Sequence, residues 1–310
     1  MKISEYETIK YEKDQEGGFV VITLNRPEAL NAQNKQMKKE LQWAFYEVLK
    51  DPEVKVYIFT GASRKDGSPC FCAGMDLKDM ATGNEYDFPE LKGELYREQD
   101  EDIFDMRTFA GQLWALRPVM PRNPTWWYHV WNPKISIAAV DGVATAGGIE
   151  LAMVCDIVLA SETAKFSDLH VKNLGIGIGG GSITTNLTYK IGYSRAMELC
   201  LTGEPINGKV AYEWGIANRV YPPDQLLPAA KAMAKKIASM KDEAVHMTKM
   251  SCRAALDMGY NDSYAYSERL LKYWTKPGPN AFATTLKEES TVKKWVGGEV
   301  GTHAERKNKG

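Results

Sequence analysis

Two stretches of this chain hold residues whose types and spacing could do chemistry. The first is Cys70-Phe71-Cys72-Ala73-Gly74-Met75-Asp76-Leu77-Lys78-Asp79-Met80. The second is Ala138-Ala139-Val140-Asp141-Gly142-Val143-Ala144-Thr145-Ala146-Gly147-Gly148-Ile149-Glu150-Leu151-Ala152. Each reads as a strand that runs into a turn of small residues and then a helix. Such a turn exposes backbone N–H groups at a helix N-terminus, where negative charge is welcome. Two of them facing one point would form an oxyanion hole. Small residues before a helix also serve plain packing. Glu150, early in the second helix, is either an acid stabilised by the helix dipole or a proton-handling group. Cys70-Phe71-Cys72 could be a metal clip, but its surroundings read better as the end of a strand.

The neighbouring elements must position these stretches. Gly18 to Leu24 and Val54 to Thr60 are β-branched and apolar and end at turn residues, so both predict strands. Between them Met37, Leu41, Phe45 and Val48 recur every three or four residues, which predicts one buried face of a helix. Ile135 to Val140, Asp156 to Ala160 and Ala164 to Phe166 read as further strands. Strands separated by helices point to an α/β fold. Gly175-Ile176-Gly177-Ile178-Gly179-Gly180-Gly181 superficially offers a nucleotide fingerprint and hence an oxidoreductase. That fingerprint belongs at the first strand–helix turn, and here it sits late.

With 310 residues the chain can bury a large core without disulfides. A net charge of −1 advertises neither nucleic acid nor a membrane surface, which argues against an RNA-binding role. No apolar run approaches transmembrane length, and the polar start, Met1-Lys2-Ile3-Ser4-Glu5, lacks the core of a secretory signal. Five cysteines at positions 70, 72, 155, 200 and 252 match no zinc or redox spacing. A reducing, cytoplasmic setting is expected.

Taken together and in this order, the two stretches resemble the crotonase (enoyl-CoA hydratase/isomerase) superfamily. There the first motif runs roughly F-x-A-G-x-D-L-K-x-M and the second A-x-V-x-G-x-x-x-G-G-x-E-L-A. The likeness continues through Cys155-Asp156-Ile157-Val158-Leu159-Ala160, Ile191 to Gly203, and Trp214-Gly215-Ile216-Ala217-Asn218-Arg219-Val220. It covers roughly residues 5 to 260, with the insert 81–133 longer than usual. The resemblance implies a ββα spiral core over residues 1–220 and a helical C-terminal trimerisation region over 221–310. It also implies a homotrimer or a dimer of trimers.

By position, the oxyanion donors would be the N–H groups of Met75 and Gly147. Glu28-Ala29-Leu30 matches the segment whose backbone meets the adenine of coenzyme A, and Lys78 matches a lysine near its phosphates. Lys78 could equally be an ordinary solvated lysine. Glu150 matches the first catalytic glutamate of the hydratases. The second normally follows Phe-Gly-x-Pro-Glu, and here the chain departs: the segment reads Phe166-Ser167-Asp168-Leu169-His170-Val171-Lys172-Asn173. His170 falls where that glutamate belongs, with Asp168 two residues earlier as the other candidate.

The expected activity is hydration of an α,β-unsaturated acyl-CoA, with the thioester itself as electron sink and no metal or redox cofactor. The altered second position keeps two relatives of that reaction open, a carbon–carbon bond hydrolase of cyclic β-keto substrates and a double-bond isomerase. Trp126, Trp127, Tyr128, His129 and Trp131 precede the second motif and could pack a core or line the acyl pocket. The second use predicts a bulky or ring-bearing acyl group. A helix is expected near 90–117, and amphipathic helices over 226–240 and 243–258. With little else to pack on, residues 221–310 predict subunit contacts.

Overall fold

The computed structural model describes residues 2–81, 132–175 and 182–274. The helix expected near 90–117, the aromatic cluster at Trp126, Trp127, Tyr128 and Trp131, and the glycines after Gly175 lie outside the described residues.

Two sheets carry the architecture. The larger has six strands in the order β1 (Ile9–Asp14), β2 (Phe19–Leu24), β3 (Val56–Gly61), β5 (Ile135–Val140), β7 (Ile157–Ser161), β10 (Arg219–Tyr221). Its β1–β2 pair is antiparallel and every other pairing is parallel. The smaller has the order β4 (Cys70–Cys72), β6 (Val143–Thr145), β8 (Lys165–Ser167), β9 (Ile206–Asn207). Here β4, β6 and β8 run parallel and β9 antiparallel. The chain thus alternates: β3 then β4, β5 then β6, β7 then β8, one strand to each sheet. Helix α2 (Leu77–Met80) follows β4 and α3 (Gly147–Val154) follows β6. These are successive turns of a ββα spiral, as expected. β1 had no sequence forecast: its charged alternate positions, in Ile-Lys-Tyr-Glu-Lys-Asp, face outward from an edge strand.

Helix α1 (Lys35–Lys50) buries Met37, Leu41, Phe45 and Val48, the stripe its periodicity forecast. Asn34 caps it, accepting from the Met37 N–H at 2.9 Å. Helices α4 (Ser182–Ile191), α5 (Tyr193–Thr202) and α6 (Gly208–Trp214) precede β10. The C-terminal helices are α7 (Pro223–Ala238), α8 (Asp242–Asp257) and α9 (Tyr260–Trp274).

One packing expectation is corrected. Helix α7 does have something to pack on: Leu226, Ala230, Ala234 and Ala238 lie on Phe19, Val21, Val56, Ile58, Ile137 and Leu159 of the large sheet. The alanines repeat every fourth residue, a flat face that lets the helix lie close to the strands. Parallel strands need both faces covered, and α7 supplies one cover.

The chain divides into two compact units, Met1–Met250 and Ser251–Gly310. In the first, Lys249 in the middle of α8 donates to the Lys134 carbonyl and to Asp156, both at 2.8 Å. In the second, Ser251 donates to Ser267 at 2.8 Å. Among the described residues no helix is long and apolar enough to cross a membrane.

Candidate active site

The parallel register of the small sheet gathers the chemistry. Cys72 pairs with Ala144, and Thr145 with Ser167, whose hydroxyl groups also bond at 3.0 Å. The three strands therefore end side by side. Beyond those ends come Gly74-Met75, then Gly147 and Glu150, then Asp168 and His170. Ligand sites form outside the carboxyl ends of parallel strands for this geometric reason.

The first two turns pack closely against each other. Gly74 has φ +103°, and a Cβ there would come within 2.9 Å of the Ala146 Cβ and 3.1 Å of the Gly147 nitrogen. A Cβ on Gly148 would stand 2.0 Å from the Cys72 carbonyl oxygen. Both positions require glycine. The space built on Gly147 lies 3.4 Å from the Met75 nitrogen, so the two proposed donor turns face each other at van der Waals distance.

Gln33, which the sequence did not single out, sets this juncture. Its N–H donates to the Gly74 carbonyl at 2.8 Å, and its own carbonyl accepts from the Asp76 N–H at 3.0 Å. That is a one-residue parallel bridge to Met75. Such a bridge uses the groups on either side of Met75 and leaves its own N–H outside the pairing. The Gln33 side chain, fully buried, then donates to the Gly147 carbonyl at 3.1 Å. Gly147 is the first residue of α3, so its N–H has no intrahelical acceptor. Two N–H groups are thus directed away from their own secondary structure at one place.

The segment assigned to adenine lies beside them. Pro27–Ala29 forms one helical turn, and Leu30 follows with φ 54°. The Leu30 carbonyl accepts from the Ala73 N–H at 3.0 Å, and Arg26 pairs with Asp76 at 3.0 Å. Asn31 locks this loop by donating to the Ala62 and Cys70 carbonyls at 2.9 and 2.8 Å. Lys78 is exposed in the first turn of α2.

Glu150 is buried at 4% exposure one turn into α3, a helix with every side chain inside. Asp168 and His170 are buried too, at 1% and 5%. His170 Nδ1 lies 2.5 Å from Asp168 Oδ1, and the His170 N–H also donates to that oxygen at 3.2 Å. The hydrogen bond from Asp168 raises the histidine pKa above its ordinary value, burial opposes this, and Glu150 adds to the rise. With Nδ1 engaged, Nε2 is the nitrogen that can exchange protons. The structure therefore brings Met75, Gly147, Glu150, Asp168 and His170 to the adjoining ends of three strands.

The cysteine pair does not behave as a metal clip. Cys70 and Cys72 are buried in β4, and burial pushes their thiols up to about 12 and about 11. Among the described residues no cluster of His, Cys, Asp and Glu could hold a metal ion. Gly175 ends a helical turn (His170–Leu174), not a strand, so the late glycine run lacks the context of a dinucleotide fingerprint.

Comparison with known proteins decides the family. The Enoyl-CoA hydratase/isomerase family model matches residues 14–107 and 122–289. The chain belongs to the enoyl-CoA hydratase/isomerase family. It is 37% identical over 288 residues to the probable enoyl-CoA hydratase echA8 of Mycobacterium bovis, covering 92% of this chain and 93% of that one. It is 32% identical over 250 residues to the (E)-benzylidenesuccinyl-CoA hydratase of Thauera aromatica, covering 80% and 84%. The crystal structure of an enoyl-CoA hydratase from Bacillus anthracis superposes with a TM-score of 0.72 at 27% identity, covering 92% of this chain and 98% of that one. Membership in this family sets aside the Rossmann-type oxidoreductase reading.

Proposed function

We propose that this enzyme adds water across the double bond of an α,β-unsaturated acyl-CoA, with Asp168–His170 in place of a second glutamate. The observation that carries the reading is the meeting of the Met75 and Gly147 turns with Glu150 and a hydrogen-bonded Asp168–His170 pair. The thioester oxygen accepts from both N–H groups. Glu150 takes a proton from water as its oxygen bonds to the β carbon, and the π electrons move onto the thioester oxygen. His170, as imidazolium, returns a proton to the α carbon and the enolate collapses. The proton on Glu150 then re-protonates His170 through solvent. Each preorganised donor is typically worth roughly 3 kcal/mol. The thioester is the electron sink, so the scheme calls for no metal and no redox cofactor. Coenzyme A would lie along Glu28, Ala29, Leu30 and Lys78.

The acyl group is proposed to be bulky or cyclic, with Trp126, Trp127, Tyr128 and Trp131 lining its pocket. A panel of enoyl-CoA esters tests both parts. Hydration with kcat/KM highest for an aromatic or alicyclic ester is the expected result. Crotonyl-CoA as the best substrate refutes the acyl proposal, and a product lacking added water at the β carbon refutes the hydratase.

The assembly is proposed to be a homotrimer or dimer of trimers in the cytoplasm. Tyr193, Met197 and Leu201 make an exposed apolar stripe along one face of α5, at 68%, 38% and 55% exposure. A monomer in sedimentation at micromolar concentration would refute the oligomer.

A further inference from the structure

The loop assigned to the nucleotide of coenzyme A and the turn that carries Met75 form one hydrogen-bonded piece. Leu30 and Asn31 are both left-handed, with φ 54° and 53°. Side chains other than glycine keep such a backbone only where their surroundings fix it. Much of the fixing comes from the segment that runs from Cys70 to Asp76. The Leu30 carbonyl accepts from the Ala73 N–H at 3.0 Å and from the Cys70 thiol at 3.2 Å. The Asn31 amide donates to the Cys70 carbonyl at 2.8 Å. Arg26 closes the other end of the loop. Its guanidinium donates to the Ala32 carbonyl at 2.6 Å, inside the loop, and pairs with Asp76 Oδ2 at 3.0 Å, one residue beyond Met75. The second oxygen, Asp76 Oδ1, caps α2 by accepting from the Lys78 N–H at 3.1 Å and the Asp79 N–H at 3.4 Å. Both side chains of the ion pair are 17% exposed. A pair so far withdrawn from water is screened much less than one at the surface.

We propose that Arg26 and Asp76 are positioning residues whose ion pair couples the nucleotide end of the substrate to the Met75 N–H. This rests on the placing of coenzyme A and on the oxyanion role of Met75 proposed above. A ligand seated along Glu28, Ala29 and Leu30 settles a loop that is bonded to Ala73 and Asp76. Those two residues flank Gly74 and Met75. Binding energy from a remote, unreacting part of a substrate raises turnover when it improves a contact made in the transition state. The bonded run from Arg26 to Asp76 supplies the route from one end of the substrate to the other. The nucleotide then contributes to kcat as well as to KM.

Asp76→Asn is the informative variant, because asparagine keeps the helix cap and loses the charge that holds Arg26. Arg26→Gln breaks the pair from the other side and replaces it if the first variant does not fold. Turnover is compared between an enoyl-CoA and the same acyl group on pantetheine, which lacks the nucleotide. In the wild type kcat should be higher for the coenzyme A ester by about threefold or more, and either variant should bring that ratio close to one. The double variant should lose no more than a single one. A wild-type ratio near one, or variants that slow both esters equally, overturns the coupling. Hydrogen exchange supplies a readout without turnover. Adenosine 3′,5′-bisphosphate should slow exchange over 26–33 and 70–78 in the wild type, and over 26–33 alone in Asp76→Asn. Slowing confined to 26–33 in the wild type, slowing in neither segment, or slowing that Asp76→Asn leaves unaltered also overturns it. If exchange couples as expected but no enoyl-CoA gains water, the hydratase reading fails while the coupling stands.

Discussion

Gln33 holds Gly147 by its carbonyl, side-chain nitrogen to oxygen at 3.1 Å, while its own backbone is paired to both neighbours of Met75. One loop residue therefore sets the spacing of the two N–H groups proposed to grip the thioester. Gln33→Leu leaves the Gly147 carbonyl without this donor in a buried place. The expected costs are about 1–3 kcal/mol in urea unfolding and a loss expressed mainly in kcat, with KM little changed. A variant with wild-type kcat would show that the two turns hold their spacing unaided.

Glu150→Gln should remove nearly all turnover and leave acyl-CoA affinity largely intact. The amide keeps the shape of the carboxylate but cannot take a proton, and general acid–base groups contribute roughly 10²–10⁴ in rate. Binding is measured by calorimetry with a substrate analogue and turnover by product formation. More than about a tenth of wild-type kcat would refute the mechanism. The chemistry would then rest on Asp168 and His170, and the carbon–carbon hydrolase reading would move ahead.

For His170 the decisive observable is the alkaline limb of the pH–rate profile. The Asp168 bond raises its pKa, so an imidazolium donor persists to higher pH than an ordinary histidine would and is lost as pH rises through that value. Asp168→Asn removes the cause and should move the limb toward lower pH. His170→Ala should abolish the limb and cost about as much rate as Glu150→Gln. A profile unchanged by Asp168→Asn would mean that the limb belongs to another group.

His246 offers a test of stability rather than catalysis. Burial, and next the charge of Lys134, depress its pKa to about 4. It is therefore neutral in the fold, while the unfolded chain takes up a proton near the ordinary 6.5. Its contribution is present above 6.5 and is lost as pH falls from 6.5 toward 4, to a total of roughly 3 kcal/mol. His246→Gln should flatten that part of the stability curve. Urea unfolding at neutral and acid pH, compared between the two proteins, measures the difference, and equal losses would refute the assignment.

The strands and α1 were legible because their periods, two and about 3.6 residues, are local properties. Met37, Leu41, Phe45 and Val48 announce a buried face whatever lies against it. Lys38 and Gln33 could not be found that way. Lysine beside Met37 reads as a solvated charge, yet the fold leaves Lys38 1% exposed. Gln33 gains its meaning from partners 39 to 114 positions away in the chain. The alanine face of α7 was visible as an amphipathic pattern, but its cover, the large sheet, comes from strands spread over most of the chain. Motif resemblance located Glu150 and pointed at His170. The short contact between His170 and Asp168 depends on the helical turn that begins at His170, which the sequence did not announce.

The side-by-side strand ends of the small sheet also separate two kinds of labour. On the proposed mechanism, the turns after β4 and β6 deliver the backbone N–H groups of Met75 and Gly147, and the turn after β6 leads on to Glu150. Strand β8 delivers only side chains, and nothing in the register at Thr145 and Ser167 depends on which ones follow. The third turn is thus an exchangeable cassette on a fixed chassis. If the proposed mechanism holds, residues 168–170 can change, and with them the fate of the enolate, while the proposed grip of the first two turns on the thioester stays as it is.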